Sequence, residues 1–268
     1  MGRVTGMPAP GEGWGMARRV AVILAAGEGT RMKSALPKVL HEVDGRPMVA
    51  HVLDLARRVD LGRPIVVVGH GRGEVRVAVE GRWDCQFVLQ PVQRGTGDAV
   101  SRAMETLTTF HGTVVVLSGD VPLLKTETVQ GLMADHERER RGVTLLTAEL
   151  EDPGGYGRIV RSAGGQVLAI VEEKDATPEE RRIREINSGT YCFDADGLRR
   201  VLAAIDTDNR QREFYLTDTV HLMRCQGVPV GAVVAPEAVE VLGVNTPDEL
   251  ERARALLRAR ARDDGREA

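Results

Sequence analysis

Short, nearly uninterrupted apolar runs recur along this chain: Val20 to Leu24, Pro64 to Val68, Gln86 to Leu89, Thr113 to Leu117, Val143 to Ala148 and Pro229 to Val234. They are too short and too β-branched for buried helices, and continuous apolarity means burial on both faces, the habit of parallel strands. Between them lie helical patterns over 48–59, 96–107 and 127–141, and later ones over 196–205, 217–225 and 246–262. Strand and helix in alternation predict an α/β fold with a doubly wound, mostly parallel, Rossmann-like sheet, whose ligands sit outside the carboxyl ends of the strands. From Asp152 to Glu173 the texture changes to short strands punctuated by glycine, which predicts a smaller hairpin-rich lobe sharing the cleft.

The first strand runs into Leu24-Ala25-Ala26-Gly27-Glu28-Gly29-Thr30-Arg31-Met32, and Leu36-Pro37-Lys38 follows. Gly27 and Gly29 let the backbone approach a ligand and turn its N–H groups on negative oxygens. Arg31 can fork onto phosphate, and Lys38 supplies a point charge beside the turn that Pro37 imposes. Two other glycine codes fail. A dinucleotide fingerprint needs a glycine where Met32 stands, and a Walker loop needs Gly-Lys-Ser/Thr.

Other polar residues collect at strand ends. Asp120 follows the most apolar strand in Ser118-Gly119-Asp120, with Gly119 expected to leave room for a ligand. A turn or cap ahead of Val121-Pro122 is an equally good reading of it. Gln90 and Gln93 precede Gly95-Thr96-Gly97. A glutamine offers donor and acceptor to the imide edge of uracil or thymine, a polar loop explains the pair as well, and Thr96 is a candidate helix cap. Glu172, inside Val171-Glu172-Glu173-Lys174-Asp175, reads locally as one charge in a solvated run, and Asn245 as a loop or cap residue. The six histidines show no ligand spacing. His70, between two glycines at a strand end, is the one to watch.

Together these segments resemble the sugar-1-phosphate nucleotidylyltransferases, and within them the uridylyltransferase half of the bacterial bifunctional N-acetylglucosamine-1-phosphate uridyltransferases. The likeness runs in order over about residues 18 to 250, through LAAGEGTRMKSALPKVL, Leu89 to Gly97, Ser118 to Leu123, Gly155 to Ile159, Val171 to Ala176, Glu185 to Gly189, Tyr215 to Asp218 and Gly243 to Asn245. It implies an enzyme that transfers UMP from UTP to N-acetylglucosamine 1-phosphate. Alternatives are uridylyl or thymidylyl transfer to another hexose 1-phosphate, and a nucleotide-sugar sensor without turnover.

By the same resemblance Arg31, Lys38 and Asp120 are catalytic, and Ala26, Gly27, Gly29, Gln90, Gln93, Gly95 and Thr96 bind the nucleotide. Gly157, Glu172, Asn187, Tyr215, Thr217 and Asn245 face the sugar phosphate, and Asp120 with Asn245 holds Mg2+. The chain departs from the pattern at Ser118 and Phe214, where tyrosines occur in relatives, which removes hydroxyls near the expected sugar pocket.

Net charge -3 gives no electrostatic case for nucleic acid as a partner, and no apolar run is long enough to span a bilayer. Three scattered cysteines indicate neither disulfides nor zinc and fit a cytoplasmic setting. Residues 1–15, rich in glycine and proline, are expected to be disordered, Met16 is a candidate functional start, and no signal peptide is read. The expected nucleotidyltransferase domain covers 16–250, with 16–150 binding nucleotide and 151–245 binding sugar. A C-terminal helix and charged tail occupy 246–268, the helix with a solvated arginine face. No hexapeptide repeat of the β-helix type is present, so no acetyl transfer, no obligate trimer and at most weak association are expected, with residues 263–268 dispensable.

Overall fold

The computed structural model describes residues 19–263. The expected N-terminal extension, Met16 and residues 264–268 lie outside the described residues.

Strand β1 (Arg19–Ala25) forms the centre. β4 (Ile65–Val68) and β6 (Thr113–Ser118) lie parallel on either side of it, and β5 (Gln86–Leu89) lies parallel outside β4. Their carboxyl ends therefore share one edge. β1 shows why its apolar run is unbroken: Ala21, Ile23 and Ala25 enter one core while Val20 and Val22 enter the other.

The first core is closed by α1 (Met48–Arg58), α2 (Arg72–Val79) and α4 (Thr126–Glu139). The second is closed by α3 (Thr96–Met104), α5 (Ala195–Leu202) and α6 (Asp218–Cys225). The expected doubly wound arrangement is what forms. Expected boundaries shift by a few residues, with α3 ending at Met104 and β6 reaching Ser118.

The sheet is mixed beyond β6. β10 (Glu185–Asp194) runs antiparallel between β6 and β7 (Val143–Glu149), and β11 (Val230–Val234) closes that edge parallel to β7. β10 has no counterpart among the apolar runs, because Asn187, Ser188 and Gly189 interrupt its pattern. Its register shifts between Asn187 and Tyr191, Gly189 takes φ 78°, and the Ser188 hydroxyl donates to Leu146 O at 2.7 Å while accepting from Thr190 N at 3.1 Å. A bulge of this kind re-aims a side chain.

The region of short strands is the hairpin β8 (Arg158–Arg161) and β9 (Val167–Val171). It belongs to the same nine-stranded sheet, joined to β10 at Ile186 and Arg158.

Two short elements are also absent from the apolar pattern. One is a hairpin, β2 (Glu42–Val43) with β3 (Arg46–Pro47), turned by Asp44 and Gly45 at positive φ. The other is α2, whose only buried residues are Val75 and Val79.

Helix α7 (Pro247–Asp263) seats Leu250 and Ala253 in a third cluster with Met32, Val43, Met48, Leu123 and Val244. The expected solvated arginine face is corrected here. Arg254 donates to Glu42 O at 2.9 Å and Arg260 to Leu123 O at 2.7 Å, so two of these arginines fasten the helix to the body.

Candidate active site

The loop after β1 is held by its neighbours. Ala26 O accepts from His70 N at 3.3 Å and from Gln93 Nε2 at 2.7 Å, which ties it to the ends of β4 and β5. Gly27 faces open space. Gly29, at φ 64°, lies where a Cβ would come within 2.6 Å of Lys38 Cβ, so this glycine lets the lysine stem pass.

Lys38 then reaches two oxygens at once: its Nζ donates to Asp120 Oδ2 and, at 3.0 Å, to Asn245 Oδ1. Arg31 donates to the same Asn245 oxygen at 3.0 Å. The Lys38 and Asp120 side chains keep 17% and 16% of their exposure, low enough for charge to act strongly yet open to a ligand. The choice left open for Asp120 therefore falls against a cap, since its carboxylate meets an ammonium.

Asn245 is not the helix cap either. Thr246 Oγ1 accepts from Glu249 N at 3.2 Å, and Glu249 Oε2 accepts from Asn245 N at 2.6 Å and Thr246 N at 3.0 Å. With the cap supplied by this box, Asn245 Nδ2 donates to Gly243 O at 3.2 Å and its Oδ1 faces the cations. Gly119 also has another reason than ligand room. A Cβ there would sit 3.0 Å from Leu24 O and 3.2 Å from Val39, so the close approach of this turn to β1 and to the Lys38–Leu40 turn favours glycine.

A cleft of about 330 Å³ opens beside this cluster, lined by Ala26, Gly27, Lys38, Asp120, Gln90, Gln93, Gly95 and Thr96 among others. Gln90 is buried, with its Nε2 donating to Gly95 O at 3.0 Å and to Asp98 Oδ2 at 2.8 Å. Thr96 does not cap α3 with its side chain. Gly95 takes the N-cap position, and the Thr96 hydroxyl accepts from Leu216 N at 3.2 Å.

The expected sugar residues form a second group. A Cβ on Gly157 would lie 3.6 Å from both Asn187 Cβ and Glu172 Oε2. Asn187 donates to the Tyr191 hydroxyl at 2.7 Å, Thr217 donates to Glu172 at 3.0 Å, and Tyr215 donates to Asp175 at 3.1 Å. Glu172 is thus no member of a solvated run, and burial pushes its carboxyl up from the ordinary range.

Residues 213–217 link the two groups, since Glu213 lines the cleft and Leu216 binds Thr96. Phe214 turns its ring to the Arg94 guanidinium, 5.4 Å from its centroid, and its carbonyl accepts from Gly97 N at 2.8 Å. Ser118 also lines the cleft. His70 is exposed at the end of β4, with its backbone N–H on the Ala26 carbonyl.

Several contributors had no signal of their own. Asp98, Asp175, Tyr191, Glu213 and the Thr246–Glu249 box matter through their partners, and only the Thr-x-x-Glu spacing was visible locally.

Asp218, at the start of α6, carries a testable pH effect. Burial first, then Asp206 and Asp175, pushes its carboxyl up to about 6. The folded-state pKa exceeds the unfolded value of about 3.9, so the stability this group contributes is full below about pH 4 and lost as pH rises through about 6. Asp218→Asn is expected to flatten the fall in urea midpoint over that window. A variant with the wild-type slope would assign the effect to other groups.

With the geometry in view, comparison with known proteins decides the family. A family model described as the MobA-like NTP transferase domain matches residues 21–260. The chain belongs to that family. Among its relatives are proteins named bifunctional protein GlmU. That of Bacillus licheniformis is 45% identical over 245 residues, covering 91% of this chain and 53% of the relative. That of Corynebacterium efficiens is 48% identical over 245 residues (89% and 50%), and that of Syntrophotalea carbinolica 48% over 244 (91% and 52%). The chain thus spans about half the length of these relatives.

Among solved structures, a putative glucose-1-phosphate thymidylyltransferase from Bacillus anthracis, in complex with sucrose, superposes with TM-score 0.71. It is 19% identical and covers 90% of this chain and 95% of the other. That likeness shows the fold, a mixed, mostly parallel sheet flanked by helices.

Proposed function

We propose that this NTP transferase domain joins UTP to N-acetylglucosamine 1-phosphate, releasing pyrophosphate and forming UDP-N-acetylglucosamine. One observation carries the reading: Lys38 Nζ meets Asp120 and Asn245 together, with Arg31 alongside, at the cleft that Gln90 lines. The relatives that match over nine-tenths of this chain direct the choice of reaction.

A sugar phosphate is already a nucleophile, since its second pKa lies near about 6. The protein has to position it and neutralise charge, and needs no general base. Arg31 and Lys38 are the cations for the triphosphate and for charge developing at the α-phosphorus. Glu172, Asn187 and Thr217 offer acceptors and donors of the kinds a pyranose needs.

Among the described residues no group of three or more His, Cys, Asp or Glu could hold a metal ion. Magnesium takes one or two protein oxygens and completes its shell with phosphates and water, so a pair suffices. Asp120 Oδ2 and Asn245 Oδ1 fit, because both already converge on a cation, the Lys38 ammonium. Bound there, magnesium would supply further charge neutralisation and template the triphosphate.

Among the described residues no helix is long and apolar enough to cross a membrane. Cys85, Cys192 and Cys225 are free thiols, which supports placing the domain in a reducing compartment such as the cytoplasm.

The test is pyrophosphate release across a matrix of nucleoside triphosphates and sugar 1-phosphates. The UTP and N-acetylglucosamine 1-phosphate pair should give the highest kcat/KM, and a higher value for thymidylyl transfer or for another hexose would replace this assignment. In the same assay Gln90→Ala is expected to reduce selection of UTP over CTP by about tenfold, the worth of one lost hydrogen bond of about 1.4 kcal/mol. An unchanged base preference would leave Gln90 a packing residue.

A further inference from the structure

A glutamine that reads a base has an ambiguity built into it, because rotating the amide by 180° exchanges a donor for an acceptor. In this cleft the ambiguity is removed. Both partners of Gln90 Nε2, the Gly95 carbonyl at 3.0 Å and Asp98 Oδ2 at 2.8 Å, are acceptors. A flipped amide would set Oε1 against two other oxygens and leave its protons without those partners. Gln90 and Asp98 are only 4% and 7% exposed, so water has little access to relieve that clash.

Asp98 is pinned as well. Its other oxygen, Oδ1, faces Arg94 at 3.2 Å and Arg102 at 3.5 Å, so the carboxylate has guanidinium donors on one side and the glutamine amide on the other. Gly95 is equally constrained. At φ 104° its Cα lies where a Cβ would meet the Phe214 carbonyl at 2.5 Å, which fixes the direction of the peptide whose oxygen receives the second proton. Both Gln90 amide protons are thus spent within the protein, and only Oε1 remains for a ligand in the cleft.

Resting on the uridylyl-transfer reading above, we infer that Asp98 is a positioning residue for base selection: it holds Gln90 as an acceptor only, so that the cleft takes a pyrimidine bearing N3–H and refuses one whose N3 carries a lone pair. Uracil and thymine offer that donor. Cytosine has nearly the same shape but presents an acceptor at N3, and a locked Oε1 meets it oxygen to nitrogen with no proton between them. An unlocked glutamine would turn over and donate instead, and discrimination would shrink.

The experiment compares UTP with CTP, using pyrophosphate release and calorimetric binding, in the wild-type chain and in Asp98→Asn. An asparagine presents either oxygen or nitrogen to Gln90, so the lock is lost with little change of volume. The UTP-over-CTP ratio of kcat/KM is expected to fall by about tenfold, the scale of one hydrogen bond, while kcat with UTP falls less. A purely structural role would lower both nucleotides alike and keep the ratio. A folded Asp98→Asn chain with the wild-type ratio overturns the inference.

A second measurement needs no variant. 3-Deaza-UTP, with C–H in place of N3–H, is expected to bind the wild-type chain about tenfold more weakly than UTP. Equal binding overturns the inference even if Asp98→Asn does not fold. A wild-type chain that turns over no sugar phosphate with UTP would defeat the functional reading instead, and the binding ratios would still decide the role of Asp98.

Discussion

Asp120→Asn and Lys38→Ala are each expected to lower kcat by about 10²- to 10³-fold, with melting temperature nearly unchanged. The two groups form one ion pair at the mouth of the cleft, and Asn245 shares the lysine. Neither sits in the hydrophobic clusters, so removing one costs little core packing. Catalysis is another matter, because fixed charges in a half-buried site gain most where charge develops in the transition state. The loss should fall on kcat more than on KM for UTP. Steady-state kinetics decides it: a variant within a few-fold of wild-type kcat would remove that residue from the site.

Gly29→Ala is expected to be nearly as damaging, by about 100-fold in kcat, although it deletes no chemical group. The new Cβ would fall 2.6 Å from Lys38 Cβ, the rigid root of the side chain. Alanine at φ 64° is also strained by itself. One side has to move, and the lysine lies on a short 3-10 turn, Lys38–Leu40, with its Nζ aimed at Asp120. A displaced ammonium would leave Asp120 and misalign the charge on which the proposed reaction depends. Gly131→Ala, in α4 and outside the cleft lining, is the control, since its Cβ would meet nothing within 4 Å. If Gly29→Ala and Gly131→Ala had equal activity, close packing against Lys38 would not be what makes Gly29 necessary.

The resemblance named residues from distant segments, and the structure brings Lys38, Asp120, Gln90 and Thr96 among them to one cleft. Some local readings, and one implied by the resemblance, met different surroundings. Gly119 was expected to make room for a ligand, yet a Cβ there would also press on the Leu24 carbonyl and Val39. Thr96 was a candidate cap, yet its hydroxyl accepts from Leu216 N, 120 positions away. Phe214 was expected near the sugar, yet its ring faces Arg94. In each case the partner lies on another element, and no local pattern names it.

What the sequence determined by itself is local or periodic. Alternation along β1 sends Val20 and Val22 to one core and Ala21, Ile23 and Ala25 to the other, so an unbroken apolar run already implied a strand covered on both faces. Glycines after the strand marked a loop, and Gly27 in it lines the cleft. Tertiary structure alone decided which groups meet: Lys38 finds Asp120 82 positions away and Asn245 207 positions away, and Gln90 acquires one amide orientation from Asp98 and Gly95. The physical reason is range. Backbone preference and side-chain periodicity act over a few residues, whereas the charge, burial and hydrogen-bond partners that set chemistry are fixed by parallel strands delivering distant loops to one edge of a sheet.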